Sequence, residues 1–324
     1  MNISAPPATG VRTDWGQVPE HVRCGLEARL GAPVTDAVTQ RGGFSPGVAA
    51  RVRLADGRRA FVKAVSAEAN PGSPVLHRAE ARVSAALPLG VPAPRLLATH
   101  DDATWVALAF EDVDGRQPHV PWRADELSRV LHAVGELAHT LTPAPLDVRS
   151  VVESEAESFR GWEQLLDGDG DSESRRDRLD PWVQRNLAAL ADLAAPWGES
   201  ASGDTLAHGD LRADNMLLTA DGRVVFVDWP HAVRAAPWFD LLLMLPCVRA
   251  QGGPDPDELF TAHPVGRDAE PEGVTATLAG LAGYFVRQSL RSAPPGLPTL
   301  RAFQAAQGAA ALEWLRTRLG SRLP

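Results

Sequence analysis

The sequence predicts an α+β fold with two lobes, a small N-terminal lobe built on a β-sheet and a larger, mainly helical C-terminal lobe. A chain of 324 residues is long for one ordinary core and suits two. Strand and turn signals dominate residues 39–110, whereas apolar residues recur at helical spacing over much of the chain beyond. The polar, turn-rich residues 111–118 separate the two patterns, so we predict lobes at residues 1–112 and 113–324.

The predicted N-terminal lobe begins with a loose lead-in at residues 1–16. Val22, Leu26 and Leu30 then recur every four residues behind Pro19, as in a short amphipathic helix. Four strands follow, and a helix lies between the second and the third. The strands are predicted at VAARVRL, AFVKAV, VPAPRLLAT and WVALAF, and the helix carries Leu76, Glu80, Val83 and Leu87 on one face.

The C-terminal lobe is predicted to contain five long helices. They are expected at residues 127–141, 151–166, 180–195, 274–292 and 299–319. The acidic, Gly/Ser-rich stretch DGDGDSES between the second and third is predicted to be a mobile loop. The stretch MLLTADGRVVFVDW predicts a hairpin around Asp221 and Gly222.

Composition excludes several classes of protein. The formal net charge is -9, which disfavours nucleic acid and anionic membranes as partners. Cys24 and Cys247 have neither metal-ligand nor disulfide-framework spacing, as is typical of reduced thiols in a cytoplasmic protein. The N-terminus lacks the basic start and apolar stretch of a signal peptide, and no apolar run approaches the ~20 residues that span a bilayer.

The segment LAHGDLRADNMLL, followed by VVFVDW, carries the strongest functional signal. Phosphoryl transfer needs one carboxylate near the acceptor hydroxyl and oxygen ligands for magnesium. Asp210 can supply the first, and Asn215 and Asp228 can supply the second. The predicted hairpin brings Asp228 back beside the loop that carries the other two residues. The alternative is that all three are turn or helix caps.

Lys63 and Glu80 form a second candidate pair. Lys63 shares one strand face with Phe61 and Val65, and Glu80 lies on the apolar stripe of the next helix. A buried carboxylate needs a partner, so the two charges are expected to meet. The paired lysine can then hold the α- and β-phosphates of a nucleotide. The alternative is a lysine that extends to solvent and a glutamate on a wider polar face.

Two further segments complete the predicted nucleotide site. The glycine-rich turn at residues 42–47 lies one hairpin before the lysine, and its backbone N–H groups, at Gly43 and Ser45 among others, can approach phosphate oxygens. The strand WVALAF continues into a linker whose backbone groups, from Glu111 to Val113, are expected to pair with the edge of the base.

Together these residues resemble the aminoglycoside phosphotransferase family, which shares the protein-kinase-like fold with choline and fructosamine kinases. The resemblance runs from about residue 39 to about residue 245. It implies a five-stranded antiparallel sheet and one helix in the N-lobe, with ATP between the lobes. It also implies that Asp210 is the catalytic base, that Asn215 and Asp228 are magnesium ligands, and that Lys63, paired with Glu80, binds phosphate.

The resemblance gives His208 and Asp240 supporting roles, because both are expected to hold the catalytic loop. For Asp240 the alternative is an N-cap on the following helix, and both roles can hold at once. Two departures argue against a protein kinase. The chain has His-Gly-Asp where protein kinases have His-Arg-Asp, and Asp-Trp-Pro at residues 228–230 where they have Asp-Phe-Gly.

The leading hypothesis is transfer of the γ-phosphoryl group of ATP, or GTP, to a hydroxyl of a small molecule with Mg²⁺. An aminoglycoside-like antibiotic is one candidate, because acidic residues at 167–173 and at 255–258 can attract a polycation; sugar, amino-alcohol and macrolide acceptors stay open. Trp229 is the first tryptophan expected to line the acceptor pocket. The rival hypothesis is a nucleotide-binding protein that keeps the fold without the chemistry.

Overall fold

The computed structural model of the protein describes residues 4–68, 70–167 and 177–323. Five strands form the N-lobe sheet: β1 (Val34–Thr39), β2 (Val48–Leu54), β3 (Arg59–Ser66), β4 (Leu96–Asp101) and β5 (Trp105–Glu111). All neighbours pair antiparallel in the order β1-β2-β3-β5-β4. The expected five-stranded antiparallel sheet is confirmed.

The two faces of this sheet bury different helices, α1 (Glu20–Leu30) and α2 (Ser73–Ala86). Strand side chains alternate between the faces. Val62 and Ala64 of β3 pack with Leu26 of α1, whereas Leu108 of β5 packs on the opposite face with Ala81 of α2. The odd-numbered positions of β3 share the α2 face, so Lys63 is directed toward α2 and the C-lobe.

The residue pattern does not predict β1, although it predicts the other four strands of the sheet. None of its six residues is buried, and the four central ones are exposed. An edge strand of this kind has no apolar alternation that could signal it.

The C-lobe is mainly helical. Its helices are α3 (Ala124–Thr140), α4 (Val151–Glu155), α5 (Gly161–Asp167), α6 (Pro181–Ala194), α7 (Trp197–Ala201), α8 (Phe239–Ala250), α9 (Pro256–Ala262), α10 (Pro264–Arg267), α11 (Pro271–Ser289) and α12 (Leu300–Leu319). Its strands are β6 (Gly115–Arg116), β7 (Thr205–Ala207), β8 (Met216–Thr219), β9 (Val224–Phe226) and β10 (Val233–Ala235). Strands β6, β8 and β9 form one small sheet, and β7 pairs with β10.

The prediction of a single helix at residues 151–166 is wrong. This stretch contains α4, a 3-10 turn (Ser158–Arg160) and α5. The break accompanies a close backbone contact, because a Cβ at Gly161 would lie 2.3 Å from the carbonyl carbon of Gly283 on α11. Trp162 then packs beside Gly283 and donates a 2.7 Å hydrogen bond to the carbonyl of Ala279. Contacts with a helix over 100 residues away thus override the local apolar spacing.

The expected loop DGDGDSES lies, apart from Asp167, outside the described residues. Within the parts of the chain that are described, no helix is both long enough and apolar enough to cross a bilayer. The lobe boundary after residue 112 stays a prediction.

Residues 4–14 form what we call the strap, and the prediction of a loose lead-in is wrong for them. The N–H groups of Ala5 and Val11 donate to C-lobe carbonyls, those of Ala250 and Gly296. The carbonyl of Ala8 accepts the N–H of Gly43, and the N–H of Thr13 donates to the carbonyl of Gly47. The strap therefore joins the glycine-rich turn to the C-lobe through backbone hydrogen bonds that no side-chain pattern encodes.

Candidate active site

Asp240 fixes the loop between β7 and β8. Its carboxylate accepts the backbone N–H groups of His208 at 2.7 Å and Gly209 at 2.9 Å. Asp240 is buried in the first turn of α8. Burial raises its pKa to about 6, and the two N–H donors oppose that shift. One side chain thus satisfies two adjacent buried donors of the loop.

His208 is fully buried in the same loop and packs on Trp229, with ring centroids 4.6 Å apart. Burial lowers its pKa to about 4, so the imidazole is neutral near pH 7. Its Nε2 lies 3.0 Å from the carbonyl oxygen of Val227, and its Nδ1 lies 3.3 Å from the backbone N of Asp210. A neutral ring protonated at Nε2 satisfies both contacts, which makes His208 a bridge between the loop and the end of β9.

Glycine is required at position 209. Its φ is +80°, a left-handed conformation that favours glycine. A Cβ there would lie 2.3 Å from the carbonyl oxygen of His231. The glycine of the His-Gly-Asp sequence is therefore a steric requirement of this loop.

Asp210 lies at the centre of a polar cluster. Asn215 Nδ2 donates to its carbonyl oxygen at 2.8 Å and to its carboxylate at 3.1 Å. Arg212 Nη1 lies 2.5 Å from the other carboxylate oxygen, and Nε of the same guanidinium pairs with Asp214 at 3.0 Å. Burial raises the pKa of Asp210, while the charge of Arg212 opposes that shift.

Sequence reasoning missed the role of Arg212. The residue lies inside the motif, but nothing in the local pattern shows that it pairs with the carboxylates on both sides. Its guanidinium also lies over the rings of Phe44 and Phe303, at 5.6 and 5.9 Å from their centroids. Phe44 is at the tip of the glycine-rich turn and meets Phe303 of α12 edge-on at 4.9 Å. These contacts hold the glycine-rich turn over the loop between β7 and β8.

Lys63 joins the two lobes. Its ammonium donates to Glu80 at 2.6 Å and to Asp228 at 3.0 Å. Burial lowers the pKa of Lys63, but the charges of Asp228 and Glu80 outweigh it and raise the pKa. Burial also raises the pKa of Asp228, yet Lys63 holds it well below its usual range. Both groups are therefore charged near pH 7.

The backbone of Asp228 is strained. Its φ is +71°, and among the described residues only Ala103 is another non-glycine with positive φ. Such a conformation is uncommon for a residue with a Cβ and costs about 1 kcal/mol or more. It aims the carboxylate into the cleft.

The predicted nucleotide-site residues line one cavity between the lobes, of about 440 Å³. It is bordered by Gly43, Ser45, Lys63, Glu80, Glu111, Val113, Asn215 and Asp228. The side chain of Glu111 pairs with Arg95 at the sheet edge, and its backbone N–H donates to the carbonyl of Arg95. Of Glu111, this leaves only the backbone carbonyl for a base. Arg12 of the strap also borders this cavity, and sequence reasoning missed it because a lone arginine in a lead-in carries no signal.

Asp210 borders an adjoining cavity of about 540 Å³, which shares Phe44, Ser45, Glu80 and Asp228 with the first. Trp229 borders the interlobe cavity and is not among the residues that line this second one. It is 1% exposed and donates a 3.0 Å hydrogen bond to the carbonyl of Phe226. The expectation that it lines an acceptor pocket is therefore wrong, because its ring belongs to the core.

The donor set at this junction fits a magnesium ion. Asp228 supplies a carboxylate that is 35% exposed in the cleft. The amide nitrogen of Asn215 is engaged with Asp210, which leaves the amide oxygen available. Mg²⁺ is typically bound by one or two such oxygens, and substrate phosphates and water complete its shell.

Comparisons with known proteins agree with this geometry. The family model described as phosphotransferase enzyme family matches residues 42–284. The aminoglycoside 3'-phosphotransferase of Streptomyces ribosidificus is 30% identical over 134 residues, which are 40% of this chain and about half (48%) of that protein.

Two solved structures share the fold. One is a thermostable mutant of an aminoglycoside phosphotransferase in ternary complex with ADP and hygromycin B, with a TM-score of 0.56, 16% identity, and coverage of 92% of this chain and 98% of that one. The other is a choline kinase from Streptococcus pneumoniae, with a TM-score of 0.54, 16% identity, and coverage of 88% and 94%. The family model matches well over half of the chain. The chain therefore belongs to the phosphotransferase enzyme family and has the protein-kinase-like fold of that family.

Proposed function

We propose that the protein transfers the γ-phosphoryl group of ATP, or GTP, to a hydroxyl group of a small molecule, with Mg²⁺. The observation that carries this proposal is that Lys63, Asn215 and Asp228 border the interlobe cavity, while Asp210, hydrogen-bonded to Asn215, borders the adjoining cavity that shares Asp228. A cation, a carboxylate base and two oxygen ligands are the groups that phosphoryl transfer requires. ADP in the related phosphotransferase complex supports a nucleotide as the donor.

In this proposal the nucleotide lies in the 440 Å³ cavity. Backbone groups from Glu111 to Val113 bind the base, and Ser45 contributes a backbone N–H group to the phosphates. The N–H of Gly43 already donates to the carbonyl of Ala8, so it must release that bond before it can reach a phosphate. Lys63, oriented by Glu80, neutralises phosphate charge. Asn215 and Asp228 hold the metal, while His208 and Asp240 keep the loop in place.

Asp210 is the proposed base. It accepts the proton of the acceptor hydroxyl as that oxygen forms a bond to the γ-phosphorus. The bond between that phosphorus and the bridging oxygen breaks, and ADP leaves with the electron pair. Arg212 holds the carboxylate of Asp210, and its charge opposes the rise in the pKa of Asp210 that burial causes. Bound magnesium would supply charge neutralisation at the phosphates.

The lining of the proposed acceptor cavity is mixed, with somewhat more apolar than polar surface and with Ser158, His231 and Gln304 among its polar residues. Side chains from the turn and from α8, α11 and α12 line it, among them Phe44, Leu243, Leu281, Tyr284, Phe285, Leu300 and Phe303. Among its described acidic residues, Asp210, Glu80 and Asp228 are paired with cations, which leaves Glu155. An acceptor with an apolar face, such as a macrolide, therefore fits this lining better than a polycation does.

The acidic residues at 255–258 give the aminoglycoside hypothesis little support. Asp255 caps α9 through the N–H groups of Asp257 and Glu258. Asp257 itself pairs with Arg318 and accepts a hydrogen bond from Trp314. The other proposed acidic attractors, at 169, 171 and 173, lie outside the described residues.

The test is an acceptor screen with ATP and magnesium, read by mass spectrometry for added phosphate. Macrolides, aminoglycosides, amino alcohols, sugars and a peptide pool form the panel. We expect transfer to a small molecule by the wild type, and at least about a 1,000-fold loss in Asp210→Asn. The exposed variant Asp221→Asn serves as the control. Full activity of Asp210→Ala would refute the mechanism, and nucleotide binding without turnover would support the non-catalytic rival.

A further inference from the structure

The strap brings a cation into the cleft. The two terminal nitrogens of Arg12 donate hydrogen bonds to the carbonyls of Ser45 and Gly42 in the glycine-rich turn. The side chain borders the interlobe cavity together with Lys63 and Asp228. Arg12 lies 30 residues before the first residue of the family match, which begins at residue 42.

If Arg12 only held the glycine-rich turn in place, some of its N–H donors would have no function. A guanidinium has five N–H donors, and two are used on the turn. The Nε atom is buried and has no hydrogen-bond partner among the described residues, which is costly for a charged group. Burial lowers the pKa of Arg12, whereas the charges of Asp228 and Asp214 raise it. The site therefore holds a desolvated cation with donors to spare beside the carboxylate proposed to bind the metal.

The charges that border the interlobe cavity favour a phosphate as the acceptor for the remaining N–H donors of Arg12. Asp228 is already paired with Lys63 and Asp214 with Arg212, so Arg12 is not needed to neutralise either. An oxyanion that enters between the turn and Lys63 would meet Arg12 from one side and the ammonium from the other. A forked guanidinium suits the oxygens of a polyphosphate better than a point charge does.

We propose that Arg12 is a further nucleotide-binding residue, carried by the strap, which contacts the β- or γ-phosphate and couples its presence to the glycine-rich turn. This inference rests on the nucleotide site proposed above. It predicts that Arg12 contributes to the affinity for ATP and little to the affinity for AMP, because AMP lacks both distal phosphates.

The test measures the affinities of ATP and AMP in the presence of magnesium, without any acceptor, by isothermal titration calorimetry. The variants are Arg12→Ala, Arg12→Lys and, as a control, Arg53→Ala, whose side chain is exposed on β2. We expect Arg12→Ala to weaken ATP binding by about 10- to 100-fold and to change AMP binding less than about twofold. Arg12→Lys should fall between, since it keeps the charge and loses the fork.

Thermal unfolding of each variant accompanies the titrations. If Arg12→Ala leaves the ratio of the ATP and AMP affinities unchanged, Arg12 has only a structural role. That result would overturn the inference. In that case ATP binding by the wild type and its transfer activity would still support the proposed function. A wild type that binds neither nucleotide would overturn both proposals.

Discussion

Lys63 on β3 donates a 3.0 Å hydrogen bond to Asp228, 165 residues further along the chain. The same ammonium donates to Glu80 on α2 at 2.6 Å. One cation is thus shared by two carboxylates and joins the N-lobe sheet, its helix and the C-lobe. Removal of the cation would leave Glu80, whose side chain is 3% exposed, buried beside a second anion.

The first prediction concerns this shared cation. Lys63→Met should lower the free energy of unfolding by about 3 kcal/mol, because it leaves Glu80 buried without a partner. Adding Glu80→Gln should restore part of the loss, since a neutral amide replaces a buried carboxyl whose pKa burial raises to about 7 even beside Lys63. Urea denaturation of both variants and of Arg53→Met provides the measurement and its control. Additive losses in the double variant would contradict the buried-pair interpretation.

The second prediction separates a steric from a conformational requirement for glycine. Gly209→Ala places a Cβ 2.3 Å from a backbone oxygen at φ +80°, so the loop must shift. Gly222→Ala in the β8–β9 turn has a similar φ, +87°, but open space around the added atom. We expect Gly222→Ala to cost about 1 kcal/mol of stability and to keep activity.

Gly209→Ala should cost more than that and reduce phosphoryl transfer by more than tenfold. Denaturant unfolding and turnover are measured on both variants. Equal behaviour of the two would show that the contact with His231 is unimportant.

The third prediction concerns the support of the catalytic loop. Asp240→Asn replaces one acceptor oxygen by an amide group that cannot accept the N–H of His208 or Gly209. The loss of such a hydrogen bond leaves a buried donor, at about 1–3 kcal/mol. We expect kcat to fall at least tenfold while KM for ATP changes little. Asp192→Asn on the exposed surface of α6 is the matched control, and a normal kcat for Asp240→Asn would contradict the bracing role.

The fourth prediction is a pH dependence of stability. His77 is buried on α2, and burial lowers its pKa to about 4 from 6.5. Between these pH values His77 binds a proton in the unfolded chain but not in the folded protein. The free energy of unfolding therefore decreases as pH falls from about 6.5 toward about 4. The loss reaches about 3 kcal/mol for a group shifted this far.

His77→Gln should flatten that dependence relative to the wild type. Unfolding free energies at several pH values between 4 and 7 measure the difference between the two proteins. The exposed residue His132 supplies the control His132→Gln, which should keep the wild-type slope. The same slope in His77→Gln would refute the assignment.

The motif residues could be predicted because their signals are local. Asp210 and Asn215 lie in one short loop, and the strand and helix periodicities place Lys63 and Glu80 face to face. Arg12 could not be predicted, since the backbone carbonyls that it contacts lie 30 and 33 residues away. The break before Gly161 depends on a distant helix, and β1 lacks any buried residue. Local sequence patterns therefore predict the candidate site residues well. They predict poorly the long-range contacts that surround those residues.

The turn over the catalytic loop is held from both flanks of the family-matched segment, by the strap before it and by Phe303 after it. Water is always present as a competing acceptor, and an enzyme that transfers phosphate to an alcohol must exclude it. Under the proposed function, the ratio of productive transfer to hydrolysis would then depend on residues that perform no chemistry. Loosening either flank is expected to raise the rate of ATP hydrolysis.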